Sequence, residues 1–216
     1  MRLPPLIRQL PLRTRRTDPG LSDTPWLVVG LGNPGPQYAG TRHNIGVMAL
    51  ESLAGSLGGG LSAHRRCRAE VFEGRIGPLG HGATRVVLAR SRGFMNESGG
   101  PVSCLMEFYK VPIEQLVVLH DELDLPLGGL RIKRGGGDNG HNGLRSLRRS
   151  LSSGDFLRIR LGIGRPPGRQ DPADFVLRPF AGSERTEVDL LLGEAVDATE
   201  VLVRKGLEPA QNQFNR

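Results

Sequence analysis

Short apolar runs alternate along the chain with segments in which apolar residues recur every three or four positions. The runs WLVVG, TRVVLAR and QLVVLH predict buried strands, and AEVFEGRI, GLRIKR and FLRIRLGIG also have strand character. Helical spacing predicts helices over residues 43–57, from Pro101 through Tyr109, over 143–151, and near 184–205. Strands alternating with helices predict an α/β fold, with helices on both faces of a mixed sheet.

The glycines of WLVVGLGNPG have the G-x-G-x-x-G spacing of a dinucleotide-binding turn. Such a site needs a helix that opens on the glycines and directs its free amides at a pyrophosphate. Here Pro34 and Pro36 flank the third glycine and prolong a loop. The expected acid would be Glu51, which lies inside a helical pattern rather than at a strand end. We therefore expect no such cofactor, and a loop that presents Asn33.

Length and charge narrow the class of protein. The 216 residues suffice for one sizeable core, and no apolar stretch is long enough to span a bilayer, which predicts a soluble single-domain protein. A net charge of +7 suits a polyanionic partner. Cys67 and Cys104 are far apart in the sequence, so we expect neither a metal knuckle nor a disulfide framework, and a reducing compartment.

Residues 1–24 differ from the rest of the chain. They contain five arginines and four prolines and have no periodicity, which predicts a basic, disordered N-terminal extension or an over-long start. An organelle transit peptide is the alternative, although the prolines oppose the amphipathic helix that it needs. The folded domain is expected over residues 25–216.

Polar side chains follow the predicted strands. Asn33, Asn96 and Asp121 each come after a buried strand, His43 opens the first helix, and Asn142 ends the segment GGGDNGHNG. Because ligands of such sheets bind at the carboxyl ends of the strands, we expect these five side chains to meet at one rim. The alternative for each residue alone is a local hydrogen bond within a turn.

These residue types point to hydrolysis without a covalent intermediate. His43 can accept a proton from water, and Asp121 can fix its tautomer and stabilise the imidazolium. Asparagine amides can donate to a developing oxyanion. A metal site formed by His43, His120, Asp121 and His141 is the competing interpretation. It is less favoured because neighbours on a strand point to opposite faces.

Basic residues surround the predicted helix at 143–151. Lys133 and Arg134 precede it and Arg145, Arg148 and Arg149 lie along it, which is typical of a polyanion-binding face. Arg158 and Arg160 share one side of their strand and are grouped with this face. A solvated cationic surface remains the alternative.

Four blocks together resemble the signature blocks of the bacterial-type peptidyl-tRNA hydrolase family, in order within residues 26–213: GLGNPGPQYAGTRHNIG, FMNESGGPV, HDELDLPLGGLRIKRGGGDNGHNGL and RIRLGIGRPPG. The resemblance implies a single α/β domain with a mixed, twisted sheet that needs no metal and no cofactor. It also implies a cytoplasmic monomer that cleaves the ester between peptide and tRNA, recycling tRNA from aborted translation. A catalytically silent RNA-binding relative that acts in RNA processing is the alternative.

The resemblance also implies roles for individual residues. His43 would be the general base, Asp121 would hold it ready, and Asn33 would help to distinguish peptidyl from aminoacyl esters. The residues expected to contact the peptide and the 3′ CCA end are Tyr38, Phe94, Met95, Asn96, His141 and Asn142. The acceptor-stem phosphates would meet Lys133, Arg145, Arg148 and Arg149.

The chain departs from the family pattern at four positions. Ser91 and Gly93 stand where a proline and a hydroxyl residue usually precede the FMN block, and Glu97 replaces a commonly apolar residue. Asn139 stands where many members have glycine. Glu97 could change packing and charge beside Asn96, and Asn139 could change the shape of its loop.

Overall fold

The structure is a computed structural model and describes residues 24–78, 82–166 and 168–215. The extension predicted at residues 1–24 lies outside these ranges except for Thr24. The strands are β1 (Trp26–Gly30), β2 (Ser62–Ala63), β3 (Ala69–Ile76), β4 (Thr84–Ser91), β5 (Leu116–Glu122), β6 (Leu130–Arg134) and β7 (Leu157–Gly162). The helices are α1 (Ile45–Ser56), α2 (Gly99–Tyr109), α3 (Asn142–Leu151), α4 (Pro172–Val176), α5 (Arg185–Lys205) and α6 (Leu207–Phe214).

The strands form one mixed sheet in the order β2-β3-β4-β1-β5-β7-β6. The neighbours β4, β1, β5 and β7 run parallel, while β3 and β6 run antiparallel to β4 and β7. The register places Val28 beside Leu88 on one side and Val117 on the other. The predicted α/β class is confirmed, and the carboxyl ends of four parallel strands share one edge of the sheet.

Helices cover both faces of the sheet, as predicted. Along β1, Val28 faces a core cluster shared with α1, α5 and α6, whereas Leu27 and Val29 face a cluster shared with α2 and α3. Both faces are therefore dry, which is why the central strands are continuous apolar runs. None of the helices in the described ranges combines the length and apolar character that crossing a bilayer requires.

The last residue of β1 and the second residue of α1 are glycines that allow close packing. A Cβ on Gly30 would clash with the carbonyl of Gly46, and a Cβ on Gly46 would clash with the carbonyl of Leu119. Helix α1 therefore lies directly on β1 and β5. It begins at Ile45, well after Gly35, so the prediction that no helix opens on the glycines is confirmed.

Helix α6 was not predicted from the sequence, because it is short and its apolar residues are few. The C-terminal end of this helix forms hydrogen bonds with backbone groups of the edge strand β6. Asn215 accepts from the Ile132 backbone N–H at 2.6 Å, and Gln211 and Asn215 both donate to the Ile132 carbonyl at 3.0 and 2.9 Å. The helix thereby covers part of the exposed edge of β6.

The prediction for the two cysteines is wrong. Cys67 and Cys104 form a disulfide, with their Cα atoms 5.7 Å apart. They are 37 positions apart in the sequence, but Cys67 precedes β3 and α2 packs over this end of the sheet, so folding brings them together. The bond fastens the segment between β2 and β3 to α2.

Candidate active site

A cavity of about 620 Å³ opens at the carboxyl edge of the sheet, and we call it the His43 cavity. The five polar residues predicted to converge all line it: Asn33, His43, Asn96, Asp121 and Asn142. Phe94, Met95 and His141 line it as well. The predicted convergence is confirmed, and it follows from the parallel arrangement of β1, β4 and β5.

His43 and Asp121 form a buried pair. Nδ1 of His43 lies 2.9 and 3.0 Å from the two carboxylate oxygens of Asp121. A carboxylate can only accept, so Nδ1 carries the proton and Nε2 keeps its lone pair. Nε2 has no hydrogen-bond partner in the described part of the chain, and the imidazole lines the cavity.

His141 shares the same carboxylate, which the sequence did not reveal. Its Nδ1 accepts from the backbone N–H groups of Gly143 and Leu144 at 3.1 and 3.4 Å, capping α3. Nε2 must therefore carry the proton, and it donates to Asp121 at 2.9 Å. The caps hold His141 in this tautomer, so it is a less suitable base than His43.

Burial and the neighbouring charges act in opposite directions on the pKa values of His43 and Asp121. Burial lowers the pKa of His43, but the charge and hydrogen bond of Asp121 outweigh it and raise the pKa above its ordinary value of 6.5. Burial raises the pKa of Asp121, whereas the imidazoles of His43 and His141 hold it well below its usual range. Asp121 is therefore ionised at neutral pH.

Three of the four residues proposed for the alternative metal site lie close together. Ligand atoms of His43, Asp121 and His141 lie within 4.8 Å of one another, close enough to hold an ion once the two imidazole protons are displaced. His120 does not belong to this group, and its Nδ1 donates to the backbone carbonyl of Asp121 at 2.7 Å. Burial, aided by the charge of His141, lowers the pKa of His120 to about 3 and keeps it neutral.

Two asparagines that line the cavity have their side-chain oxygens occupied and their amide nitrogens available. Oδ1 of Asn33 accepts from the backbone N–H of Met95 at 2.8 Å, which leaves its NH₂ group for a ligand. Oδ1 of Asn142 accepts from Arg145 at 3.3 Å, with the same result. The side chain of Asn96 makes no hydrogen bond within the described residues and can adapt to a ligand. Donors without charge therefore face the space beside His43.

Asn44 and Arg42 hold the loop and His43 in place, and the sequence analysis missed both. Buried Asn44 accepts from the Asn33 N–H at 2.8 Å and donates to the Asn33 carbonyl at 2.9 Å. Buried Arg42 bonds to both carboxylate oxygens of Glu184 at 2.7 and 2.6 Å. The only feature of the sequence that pointed to a role for these two residues is that they flank His43. No pattern in the sequence predicts which residues they contact.

The loop at 135–141 is held from beneath by Arg158, and grouping this residue with the polyanion-binding face is wrong. Arg158 is 1% exposed and donates to the carbonyls of Gly136 and Gly137 at 2.8 and 2.6 Å. Arg160 on the same strand pairs with Glu122 at 2.8 Å. Neighbouring elements cover both faces of β7, so the alternation of apolar and basic residues along this strand does not mean that the basic side chains are exposed.

Asn139 has φ 47°, a left-handed conformation that asparagine tolerates well, so its replacement of glycine keeps the turn.

The four predicted phosphate contacts lie outside the lining of the His43 cavity. Arg145 and Arg148 lie 3.6 and 3.0 Å from Asp138, whereas Arg149 is exposed and has no ion-pair partner in the described ranges. Burial, and then the charges of Arg160 and Arg158, lower the pKa of Lys133. Tyr38 does not line the cavity either, but its ring meets Phe94 edge-on at 6.4 Å.

Comparison with known proteins gives one consistent result. A family model described as peptidyl-tRNA hydrolase matches residues 27–216. A peptidyl-tRNA hydrolase of Frankia casuarinae is 58% identical over 89% of this chain and 95% of its own, and one of Streptomyces coelicolor is 55% identical over 92% and 98%. The crystal structure of a peptidyl-tRNA hydrolase of Acinetobacter baumannii superposes with a TM-score of 0.78 and 35% identity, over 89% of this chain and 95% of that one. The chain belongs to the peptidyl-tRNA hydrolase family.

Proposed function

We propose that this protein hydrolyses the ester bond of peptidyl-tRNA with water activated by His43, and so returns tRNA and peptide from stalled or aborted translation. One observation carries the mechanism. Asp121 holds His43 as the Nδ1–H tautomer, which leaves Nε2 as a free acceptor at the cavity. An imidazole whose lone pair is fixed at the cavity is suited to deprotonating water.

The reaction then runs in two proton transfers. Water attacks the ester carbonyl while its proton passes to Nε2 of His43, and Asp121 stabilises the imidazolium that forms. The tetrahedral oxyanion accepts hydrogen bonds from the amide donors of Asn33 and Asn142. When the intermediate collapses, the bond from the carbonyl carbon to the ribose oxygen breaks and His43 returns the proton to that oxygen. The tRNA is released, and the peptide leaves as a carboxylic acid that loses its proton to solvent.

His141 acts as a positioning residue in this scheme. Because it donates to Asp121 and accepts from the first amides of α3, it links the carboxylate to the helix that carries Asn142. The general base His43, its carboxylate and an amide donor are therefore held together as one unit.

Phe94, 52% exposed at the cavity, offers an aromatic ring on which a nucleotide base of the 3′ CCA end can stack.

The acceptor stem is proposed to lie along α3. The positive charge is supplied by Lys133, Arg145, Arg148 and Arg149, and α3 begins at Asn142, which lines the cavity. Phosphate contacts of this type give affinity without sequence preference, which suits an enzyme that must accept many tRNAs. We further propose that the reaction needs no metal or cofactor, because side chains alone activate the water, and that the protein acts as a cytoplasmic monomer.

The test is release of the blocked amino acid from an N-acetylated aminoacyl-tRNA in the presence of a chelator. We expect turnover by the natural chain and a loss of about 10²-fold or more in His43→Ala, with tRNA binding kept. His64→Ala is the matched control, because His64 lies outside the cavity. Equal rates for His43→Ala and the natural chain would remove His43 as the base.

Two further outcomes separate the alternatives. Abolition of turnover by the chelator would favour a metal held by His43, Asp121 and His141. Binding of RNA by the natural chain without any ester hydrolysis would favour a catalytically silent relative in RNA processing. The free Nε2 of His43 beside an ionised Asp121 speaks against that second outcome, since RNA binding alone does not need it.

A further inference from the structure

The disulfide takes no part in the proposed mechanism, but one of its cysteines lies in a segment that supports the candidate active site. We call residues 65–68, which include Cys67, the Cys67 segment. The carbonyl of Arg68 accepts from the backbone N–H of Arg92 at 3.0 Å, and the Arg68 guanidinium lies 3.5 Å from Oε2 of Glu97. The segment therefore contacts both ends of the turn that carries the FMN block.

This turn forms part of the His43 cavity, because Phe94 and Asn96 line it. Oε2 of Glu97 also accepts from the backbone N–H of Phe94 at 3.3 Å, so one carboxylate oxygen contacts both the turn and Arg68. Phe94 and Asn96 are expected to contact the substrate. A displacement of the Cys67 segment should therefore disturb substrate binding rather than the general base and its carboxylate.

The disulfide joins a weakly held segment to a firmly packed helix. The Cys67 segment follows β2, an exposed edge strand of two residues, which alone adds little stability. The backbone hydrogen bonds of Cys67 are local, from its N–H to Nδ1 of His64 at 3.0 Å and from the Ala69 N–H to its carbonyl at 2.7 Å. Cys104 lies on α2, which packs so closely on α3 that a Cβ at Gly99 would clash with a backbone carbonyl of that helix.

We propose that Cys67 and Cys104 form a thiol–disulfide exchange site, and that its oxidation state sets the affinity of the enzyme for its substrate. In the oxidised form the bond holds the Cys67 segment against α2, and thereby holds the turn at the cavity. Reduction frees the segment and weakens substrate binding. The reactant is a small thiol or a protein dithiol, the class that keeps a cell interior reducing. The effect on binding rests on the proposed function, whereas the exchange does not.

The exposure of the two sulfurs gives the order of the exchange. Cys67 is 3% exposed, whereas Cys104 is only half-buried, so an incoming thiolate attacks the sulfur of Cys104. The bond between the cysteines breaks, its electron pair stays on Cys67 as a thiolate, and Cys104 forms a mixed disulfide with the reactant. A second thiolate then attacks the reactant's sulfur and releases Cys104. Two electrons and two protons pass to the protein, and two thiols become one disulfide.

The charges near the two cysteines favour the same order. Three exposed arginines share the segment with Cys67: Arg65, Arg66 and Arg68. No acid occurs between positions 62 and 69. Positive charge attracts the incoming thiolate and stabilises the thiolate of Cys67 as it leaves. On α2, Glu107 follows Cys104 by one helical turn, which makes a thiolate less favourable on that side.

The first experiment tests the exchange. The folded natural chain is incubated with reduced glutathione, free thiols are alkylated, and the mass shift is measured. We expect two thiols to appear and the bond to form again with oxidised glutathione. Arg65→Ala should slow the reduction by about twofold, because glutathione is an anion, and Arg185→Ala, in the opposite layer, should leave the rate unchanged. A bond that stays intact in the folded protein would overturn the proposal.

The second experiment compares kcat and KM of the oxidised and the reduced enzyme for an N-acetylated aminoacyl-tRNA. It is done at a temperature at which circular dichroism shows every form to be folded. We expect reduction to raise KM by about threefold to tenfold, the effect of losing one or two hydrogen bonds, and to change kcat by less than about twofold. Cys67→Ser together with Cys104→Ser should show the high KM under both conditions.

Each remaining outcome decides one of the two proposals. Equal KM values for the oxidised and the reduced natural chain would overturn the exchange site as a regulator of binding. A KM that still changes with reductant in the double variant would do the same, since no cysteine remains in it. Absence of hydrolysis in both forms would instead overturn the proposed function, and alkylation and tRNA binding would still decide the exchange.

Discussion

A side-chain carbon at position 93 would lie 2.7 Å from the carboxylate Oε2 of Glu97, so Gly93 leaves the room that this carboxylate occupies. Glu97 uses that room to accept from the backbone N–H of Phe94 at 3.3 Å. Ser91 supports the same turn by accepting from the Gly93 N–H at 2.9 Å. The three departures from the family pattern before and within the FMN block therefore meet in one turn, next to Phe94 and Asn96, which line the cavity. We infer that Gly93 and Glu97 are coupled through this contact.

The coupling predicts a non-additive pair of substitutions. Gly93→Ser should lower the free energy of unfolding by about 1–2 kcal/mol, because it displaces Glu97 and leaves the Phe94 N–H without its acceptor. The same substitution should cost at least ~0.5 kcal/mol less in a Glu97→Ala background. Urea unfolding of the two single variants and the double variant measures this. Simple additivity of the two costs would show that the residues are not coupled.

The pH dependence of kcat/KM should report His43. Asp121 raises the pKa of His43 above 6.5, and only neutral imidazole accepts a proton, so activity should fall as pH decreases through a midpoint above 6.5. In Asp121→Asn the carboxylate no longer opposes burial, and the midpoint should move to lower pH. The plateau rate should also fall by about tenfold to 100-fold, because an amide nitrogen then faces Nδ1–H.

Asp189→Asn is a suitable control for this experiment. Asp189 is exposed on α5, in the layer opposite α3, and its neutralisation should leave both the midpoint and the plateau unchanged. A midpoint that stays in place in Asp121→Asn would assign the titration to a group other than His43.

The disulfide should contribute to stability. Cys67→Ser together with Cys104→Ser should lower the free energy of unfolding by about 2–4 kcal/mol, since the bond closes a loop of 37 positions in the unfolded chain. Denaturant unfolding with and without a reductant measures the effect, and the reduced natural chain should match the double variant. Two free thiols in the untreated folded protein would show that the bond does not form.

The arginines of α3 should differ in their effect on tRNA binding. Arg149 has no ion-pair partner in the described ranges, whereas Arg148 lies 3.0 Å from Asp138. Arg149→Ala should therefore reduce the slope of log K against log salt by about one unit, the value of one phosphate contact, and Arg148→Ala should reduce it less. Arg185→Ala, in the opposite layer, is the control. Equal slopes in all variants would indicate that α3 does not meet the phosphates.

The sequence by itself determined the fold class, the order of most elements and the identity of the chemical groups. The central strands could be predicted because both faces of the sheet are dry, which makes runs such as WLVVG wholly apolar. Asn33, Asn96 and Asp121 could be placed at one rim because parallel strands end at the same edge of a sheet. Local patterns were sufficient wherever burial is continuous along a strand or periodic along a helix.

Apart from the expected pair of His43 and Asp121, only the tertiary structure decided which polar groups contact each other. The disulfide, the burial of Arg158 beneath the loop at 135–141, and the clamp of Asn44 on Asn33 all join segments that no local pattern relates. The same holds for His141, because its Nδ1 accepts from a backbone N–H of α3 and its Nε2–H donates to Asp121 on β5. Pairing of polar groups is set by distance and orientation in space, and hydrophobic periodicity carries no information about either.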